Sequence, residues 1–151
     1  MGSETSPEQA RRLVDELYTA WSLHQPDRID AIFTDDALYE DIAGGQIYRG
    51  RTEIKELIRA TLGFAPDFRV TLRSVAVAGD TATTEWLIEG TQTAAARVGS
   101  AGEVPPTGRT FRLRGASILV FAKARITRVT DYYDMATFLR QLGVPLQLPQ
   151  P

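Results

Sequence analysis

Two aspartates stand where strand-like alternation would carry a carboxylate onto an apolar face. Asp41 lies near the end of the run Ala37-Leu38-Tyr39-Glu40-Asp41-Ile42, and Asp131 opens Asp131-Tyr132-Tyr133-Asp134. Side chains alternate along an extended chain, so Tyr39 shares a face with Asp41, and Asp131 shares one with Val129 and Tyr133. Burial disfavours the charge of a carboxylate and so makes it a better base. Two such groups in one dry cavity could move a proton between carbons, close a ring or open an epoxide, with no metal or cofactor. Each acid also has a plainer reading. Asp41 could cap the turn at Gly44-Gly45 or pair with Arg49 or Arg51, and Asp131 could pair with Arg114, Arg125 or Arg128.

Composition removes the competing chemistries. The chain has no Cys and one His, His24, so thiolate sites, disulfides and multi-histidine metal sites are out. His24 lies near a helix end before Pro26 and reads as solvent-exposed. With 17 basic and 19 acidic residues the net charge is −2, which favours neither nucleic acid nor an anionic membrane surface. No apolar run reaches the length of about 18 residues that a membrane helix needs. The first residues lack a basic segment followed by an apolar one, so a cytoplasmic protein is expected. Arg109, Arg112 and Arg114 read as a stripe on one strand face, solvated or facing a second copy rather than forming an anion-binding row.

The elements that must position the acids follow from pattern. Residues 1–6 are small and polar and are expected to fray. Ser6-Pro7-Glu8-Gln9 starts a helix, with Ser6 as N-cap and Gln9 as its capping-box partner. Leu13, Val14, Leu17, Tyr18, Ala20 and Trp21 form its apolar side. Asp27 to Phe33 reads as a second short helix, and Ala37 to Ile42 as a short strand. Thr52 reads as the cap of a third helix, Glu53 to about Leu62, with Ile54, Leu57 and Ile58 inward. Strands are predicted over Phe68–Ala78 and Thr81–Gly90, joined at Gly79-Asp80, and over Arg109–Ala122 and Arg125–Asp134. Thr93–Gly108 lacks periodicity and reads as a loop that gates a pocket. Met135–Leu142 is a last short helix, stopped by Gly143 and Pro145.

Three segments resemble the nuclear transport factor 2-like superfamily. They are Phe33-Thr34-Asp35-Asp36-Ala37 running into Tyr39-Glu40-Asp41 and Arg49-Gly50-Arg51; Pro105-Pro106-Thr107-Gly108-Arg109; and Asp131-Tyr132-Tyr133-Asp134 with Thr137-Phe138-Leu139-Arg140-Gln141-Leu142-Gly143. The last two look most like the SnoaL-like polyketide cyclase branch, close to the ketosteroid isomerases. By resemblance, Asp41 matches the proton-shuttling base of the isomerases. Asp131 matches the acid/base with which the cyclases deprotonate carbon beside a carbonyl. Tyr18 lies near the helix tyrosine that holds the oxyanion in isomerases. Ser117 stands where isomerases carry a second Asp and cyclases a His, so the chain departs from their oxyanion hole at this position. Limonene epoxide hydrolases carry an Arg and an Asp at the positions of Trp86 and Ile88, so their hydrolysis is not expected.

The resemblance implies an α+β fold: a curved mixed or antiparallel sheet forming a cone, N-terminal helices on its concave face and a short C-terminal helix. It implies one domain over residues 7–144, with a tail over 145–151. The leading expectation is a cofactor-free cyclase or isomerase acting on a hydrophobic carbonyl or polyketide-like small molecule. Asp131 would be the principal acid/base and Asp41 a second base or positioning carboxylate. Tyr133, Ser117 and Tyr18 would donate to the enolate oxygen. Tyr18, Trp21, Tyr39, Trp86, Ile88, Leu119 and Phe138 would line the pocket. The alternatives are a non-catalytic small-molecule-binding or dimeric scaffold protein, and an epoxide-opening enzyme. A homodimer is expected, with no nucleic-acid, membrane or metal partner.

Overall fold

The computed structural model describes residues 5–98 and 101–145. Helix α1 (Pro7–Ser22) begins at the expected capping box: Gln9 N donates to Ser6 Oγ at 3.1 Å, and Ser6 N donates to Gln9 Oε1 at 2.8 Å. Thr5 and Ser6 belong to the folded body, since Thr5 is buried and its hydroxyl accepts from Ala124 N at 3.2 Å. The rest of the expected frayed segment, residues 1–4, and all of the expected tail except Pro145 lie outside the described residues.

The predicted helix over Asp27–Phe33 is instead one 3-10 stretch, Pro26–Ala31. Phe33 opens strand β1 (Phe33–Asp41), which starts earlier than the sequence pattern indicates. A register irregularity between Phe33 and Leu38 breaks the alternation there, and the polar run Thr34-Asp35-Asp36 hides the strand. Strand β2 (Gln46–Arg49) escapes the pattern altogether: it is four residues long and mostly exposed. It folds back on β1 through Gly44-Gly45, with Gly45 at φ +70°. Helix α2 (Gly50–Phe64) begins before Thr52, so Thr52 is not its cap; Glu53 reaches back instead, accepting from Arg49 N at 2.5 Å.

Strands β3 (Arg69–Ala78) and β4 (Thr81–Thr91) form the predicted hairpin. The following segment is more regular than expected. Strands β5 (Ala96–Arg97) and β6 (Glu103–Val104) pair as a small flap, with Val98 and Val104 buried in the core. Strands β7 (Thr110–Ala122) and β8 (Arg125–Tyr133) then pair around Lys123-Ala124, and Asp134 caps helix α3 (Met135–Gln141). Arg109 precedes β7, so the expected three-arginine stripe does not form; Arg112 pairs with Glu89 at 3.4 Å.

The sheet order is β2-β1-β8-β7-β4-β3, with β1 and β8 parallel and every other pair antiparallel. This is the expected α+β architecture: a curved mixed sheet, preceded by helix and closed by a short C-terminal helix. Ala10, Leu13, Val14 and Leu17 of α1 join Ile54 and Ile58 of α2 and Leu119, Ile126 and Val129 of the sheet in one core. Alternation sends Tyr39, Asp41, Ser117, Asp131 and Tyr133 to the inner face.

Candidate active site

A cavity of about 230 Å³ opens on that inner face, bounded by α1, α2, the sheet, the flap and α3. The register of β1 on β8 makes Asp41 and Asp131 direct cross-strand partners. Both therefore point into the same hollow from neighbouring backbones, and both line it.

Neither acid has an arginine or lysine partner among the described residues. The pairings considered from sequence go elsewhere. Arg51 holds Asp35 and the Phe33 carbonyl, Arg128 holds Glu40, and Arg125 reaches the carbonyls of Asp30 and Phe33. The aspartates are satisfied by neutral donors instead. Tyr39 OH donates to Asp131 Oδ2 at 2.7 Å, and Ser117 Oγ donates to Oδ1 at 2.6 Å. Tyr133 OH donates to Asp41 Oδ2 at 2.9 Å, and Gly44 N donates to Oδ1 at 2.8 Å. Asp41 thus caps its turn and faces the cavity at once. Gly44 makes this possible, because a Cβ there would lie 2.6 Å from Asp41 Oδ2.

Desolvation dominates the electrostatics. It pushes the Asp131 carboxyl from 3.8 up to about 6, against the pull of the Ser117 and Tyr39 hydrogen bonds; the nearby Asp41 charge adds to the rise. Burial pushes Tyr18 up to about 12 and also raises Tyr39 and Tyr133 well above an ordinary phenol, so these phenols act as neutral donors.

The hydroxyls are orientated by a further layer of contacts. Trp86 Nε1 donates to Ser117 Oγ at 2.8 Å, which leaves the Ser117 proton for Asp131. Gly115 lets the indole lie against the strand, since a Cβ there would meet Trp86 at 2.2 Å. Tyr18 OH and Thr84 Oγ1 are 2.7 Å apart.

The structure therefore gathers Asp131, Asp41, Tyr133 and Ser117 in one cavity, lined also by Tyr18, Trp21, Tyr39, Trp86, Ile88 and Phe138. Leu119 is a correction. It shares the inward face of β7 but is fully buried, packed in the core away from the cavity. The protons of Tyr133 and Ser117, expected to reach an enolate oxygen, are donated to carboxylates in this structure. Tyr39, read from sequence as wall, is a direct donor to Asp131. Its place two residues before Asp41 was the available signal. Gln46, Tyr48 and the flap residues Ala96, Arg97 and Val98 also line the cavity, and β2 and the flap carried no periodic signature. His24 is exposed, with Nε2 2.7 Å from the Phe68 carbonyl. Among the described residues no three His, Cys, Asp or Glu side chains converge as metal ligands.

The family model described as SnoaL-like domain matches residues 14–129, from the middle of α1 into β8, which hold most of the cavity wall including Asp41 and Ser117 and end two residues before Asp131. The chain belongs to the SnoaL-like domain family. No curated protein matches it in sequence. Among solved structures, this SnoaL-like chain is similar to TsrD from Streptomyces laurentii at 21% identity and TM-score 0.81, covering 94% of this chain and 100% of that one. It is similar to a hypothetical protein of ketosteroid isomerase-like fold from Catenulispora acidiphila, solved with trimethylamine, at 27% identity and TM-score 0.74, covering 93% and 96%. It is also similar to IdmH of Streptomyces antibioticus, named as a candidate polyketide cyclase, at 24% identity and TM-score 0.73, covering 89% and 98%. TsrD and IdmH at these identities speak for the fold alone.

Proposed function

We propose that this SnoaL-like protein is a cofactor-free acid/base enzyme, a cyclase or isomerase, acting on a hydrophobic carbonyl compound. One observation carries the reading: two adjacent carboxylates, Asp41 and Asp131, face one apolar cavity with no cationic partner among the described residues, and the Asp131 carboxyl sits at about 6. A carboxylate there is charged at neutral pH yet poorly solvated, which suits removal of a proton from carbon beside a carbonyl.

In this reading Asp131 takes the carbon-bound proton. Its negative charge is then gone, and the hydroxyls of Tyr39 and Ser117 no longer have an anion to satisfy. Either can turn its proton toward the enolate oxygen as charge develops there. The resting hydrogen bonds thus store the donors on the base until the base is neutralised. Asp41, held by Tyr133 and Gly44, is the second carboxylate that positions substrate or relays a proton to the other carbon. For a cyclase, the enolate carbon would attack a second carbonyl of the same molecule, and the proton on Asp131 would go to the new alkoxide.

Exchange of hydrogen for deuterium at the α-carbons of 2-tetralone in D2O tests this chemistry with an apolar bicyclic ketone. The wild-type protein is expected to speed exchange above the buffer rate, and Asp131→Asn to return it to that rate. Exchange at the buffer rate with wild type would remove the proposal.

A second reading, a non-catalytic small-molecule carrier, is favoured by the commitment of the Ser117, Tyr39 and Tyr133 protons to carboxylates. It requires ligand binding without exchange.

A further inference from the structure

The cavity has a mouth as well as a floor, and the mouth carries a charge that the chemistry above does not use. Three lining residues are exposed and so mark the opening: Gln46 on β2, Ala60 on α2 and Arg97 on β5. Among the described residues Arg97 is the only lysine or arginine that lines the cavity. Glu103 lies across from it in the β5–β6 ladder, yet Arg97 forms no ion pair among the described residues.

The flap that bears Arg97 is anchored at both ends by one residue. Gln92 is fully buried. Its Nε2 donates to the carbonyls of Pro105 at 2.9 Å and Ala94 at 3.3 Å, and its Oε1 accepts from Thr107 Oγ1 at 2.6 Å. Its backbone N donates to the Arg109 carbonyl, and its carbonyl accepts from Gly108 N, both at 2.9 Å. Val98, next to Arg97, and Val104 are buried in the core. The backbone under Arg97 is therefore held in place.

Charge in the cavity is polarised, with carboxylates on the floor and a guanidinium at the rim. An anionic group is repelled by Asp41 and Asp131 and attracted outward, which would fix the direction in which a two-ended ligand enters. We propose that the ligand is a hydrophobic carbonyl compound bearing an oxyanion such as a carboxylate at the end away from the reacting carbonyl, and that Arg97 receives that group. Guanidinium presents paired donors that match a carboxylate. Gln92 is a positioning residue for this contact. The assignment rests on the reading of the cavity as a carbonyl-binding site.

The test compares two fluorescent probes of one ring system, 2-naphthol and 6-hydroxy-2-naphthoate, titrated at pH 7.5 in low salt. Wild type is expected to bind the naphthoate about three- to tenfold more tightly, a preference that shrinks as salt is added. The two affinities should converge in Arg97→Met, reverse in order in Arg97→Glu and stay apart in Arg97→Lys. Gln92→Ala should narrow the gap while speeding amide exchange in residues 94–98 ahead of β7 and β8. If wild type binds both probes equally, or Arg97→Met keeps the preference, the role of Arg97 is overturned and the carbonyl site stands. If wild type binds neither probe, both readings fall together.

Discussion

Replacing Asp131 with Asn should change how stability depends on pH. Burial holds the Asp131 carboxyl at about 6 against an ordinary 3.8. Below 3.8 it is protonated in both folded and unfolded chains and contributes no difference. Between 3.8 and about 6 the unfolded chain has released the proton while the folded chain keeps it. Stability therefore falls as pH rises through that window and levels off above it. At about 1.4 kcal/mol per pH unit, the fall amounts to about 3 kcal/mol. Asn cannot ionise, so the variant lacks this fall; the new amide's altered bonds to Tyr39 and Ser117 add only a constant. Urea unfolding of both proteins at pH 4 to 8 measures the difference directly. The variant minus wild-type stability should climb by roughly 2–3 kcal/mol from acid to neutral pH. A difference that stays flat, or declines, would refute the claim that Asp131 is ionised at a cost.

Tyr39→Phe removes a donor that favours the charged form of Asp131, so the Asp131 midpoint should move above about 6, read by carbon-13 NMR titration of its carboxyl. An unchanged midpoint would mean the hydrogen bond is not made in solution. Gly115→Ala puts a methyl into the Trp86 indole, breaking its bond to Ser117 and pushing the ring into the cavity. It should cost about 1–3 kcal/mol in denaturant unfolding and abolish 2-naphthol binding. Gly44→Ala should displace the Asp41 carboxylate, slowing 2-tetralone exchange with a smaller loss of stability. Ile118 and Tyr132 remain 38% and 44% exposed on the outer sheet face, and equilibrium sedimentation at micromolar concentration is expected to give a dimer. A monomer there would end that expectation.

Much of the fold was legible because its signals are local. Ser6 and Gln9 meet within one helical turn, the apolar spacing of α1 needs only its own residues, and Gly79-Asp80 turns a hairpin between two alternating strands. Alternation alone also puts Tyr39 with Asp41 and Asp131 with Tyr133 on one face each. What escaped is what depends on partners distant in the chain. Phe33 reads as helix by its neighbours and becomes strand because β8 offers it a ladder, and β2 is strand only because β1 lies beside it. The flap is regular because Gln92 ties both of its ends to the end of the β4–β7 ladder.

The amino-acid sequence by itself determined the long helices, the β3–β4 and β7–β8 hairpins, the α+β class and the faces on which the acids lie, since these follow from backbone periodicity and turn chemistry within a few residues. Only the tertiary structure decided that Asp41 and Asp131 are side by side, that tyrosine and serine rather than arginine hold them, and that Leu119 lies in the core while Arg97 reaches the rim. Those outcomes depend on strand register across some ninety residues of chain and on which carboxylates lose their water. Neither quantity has a local signature.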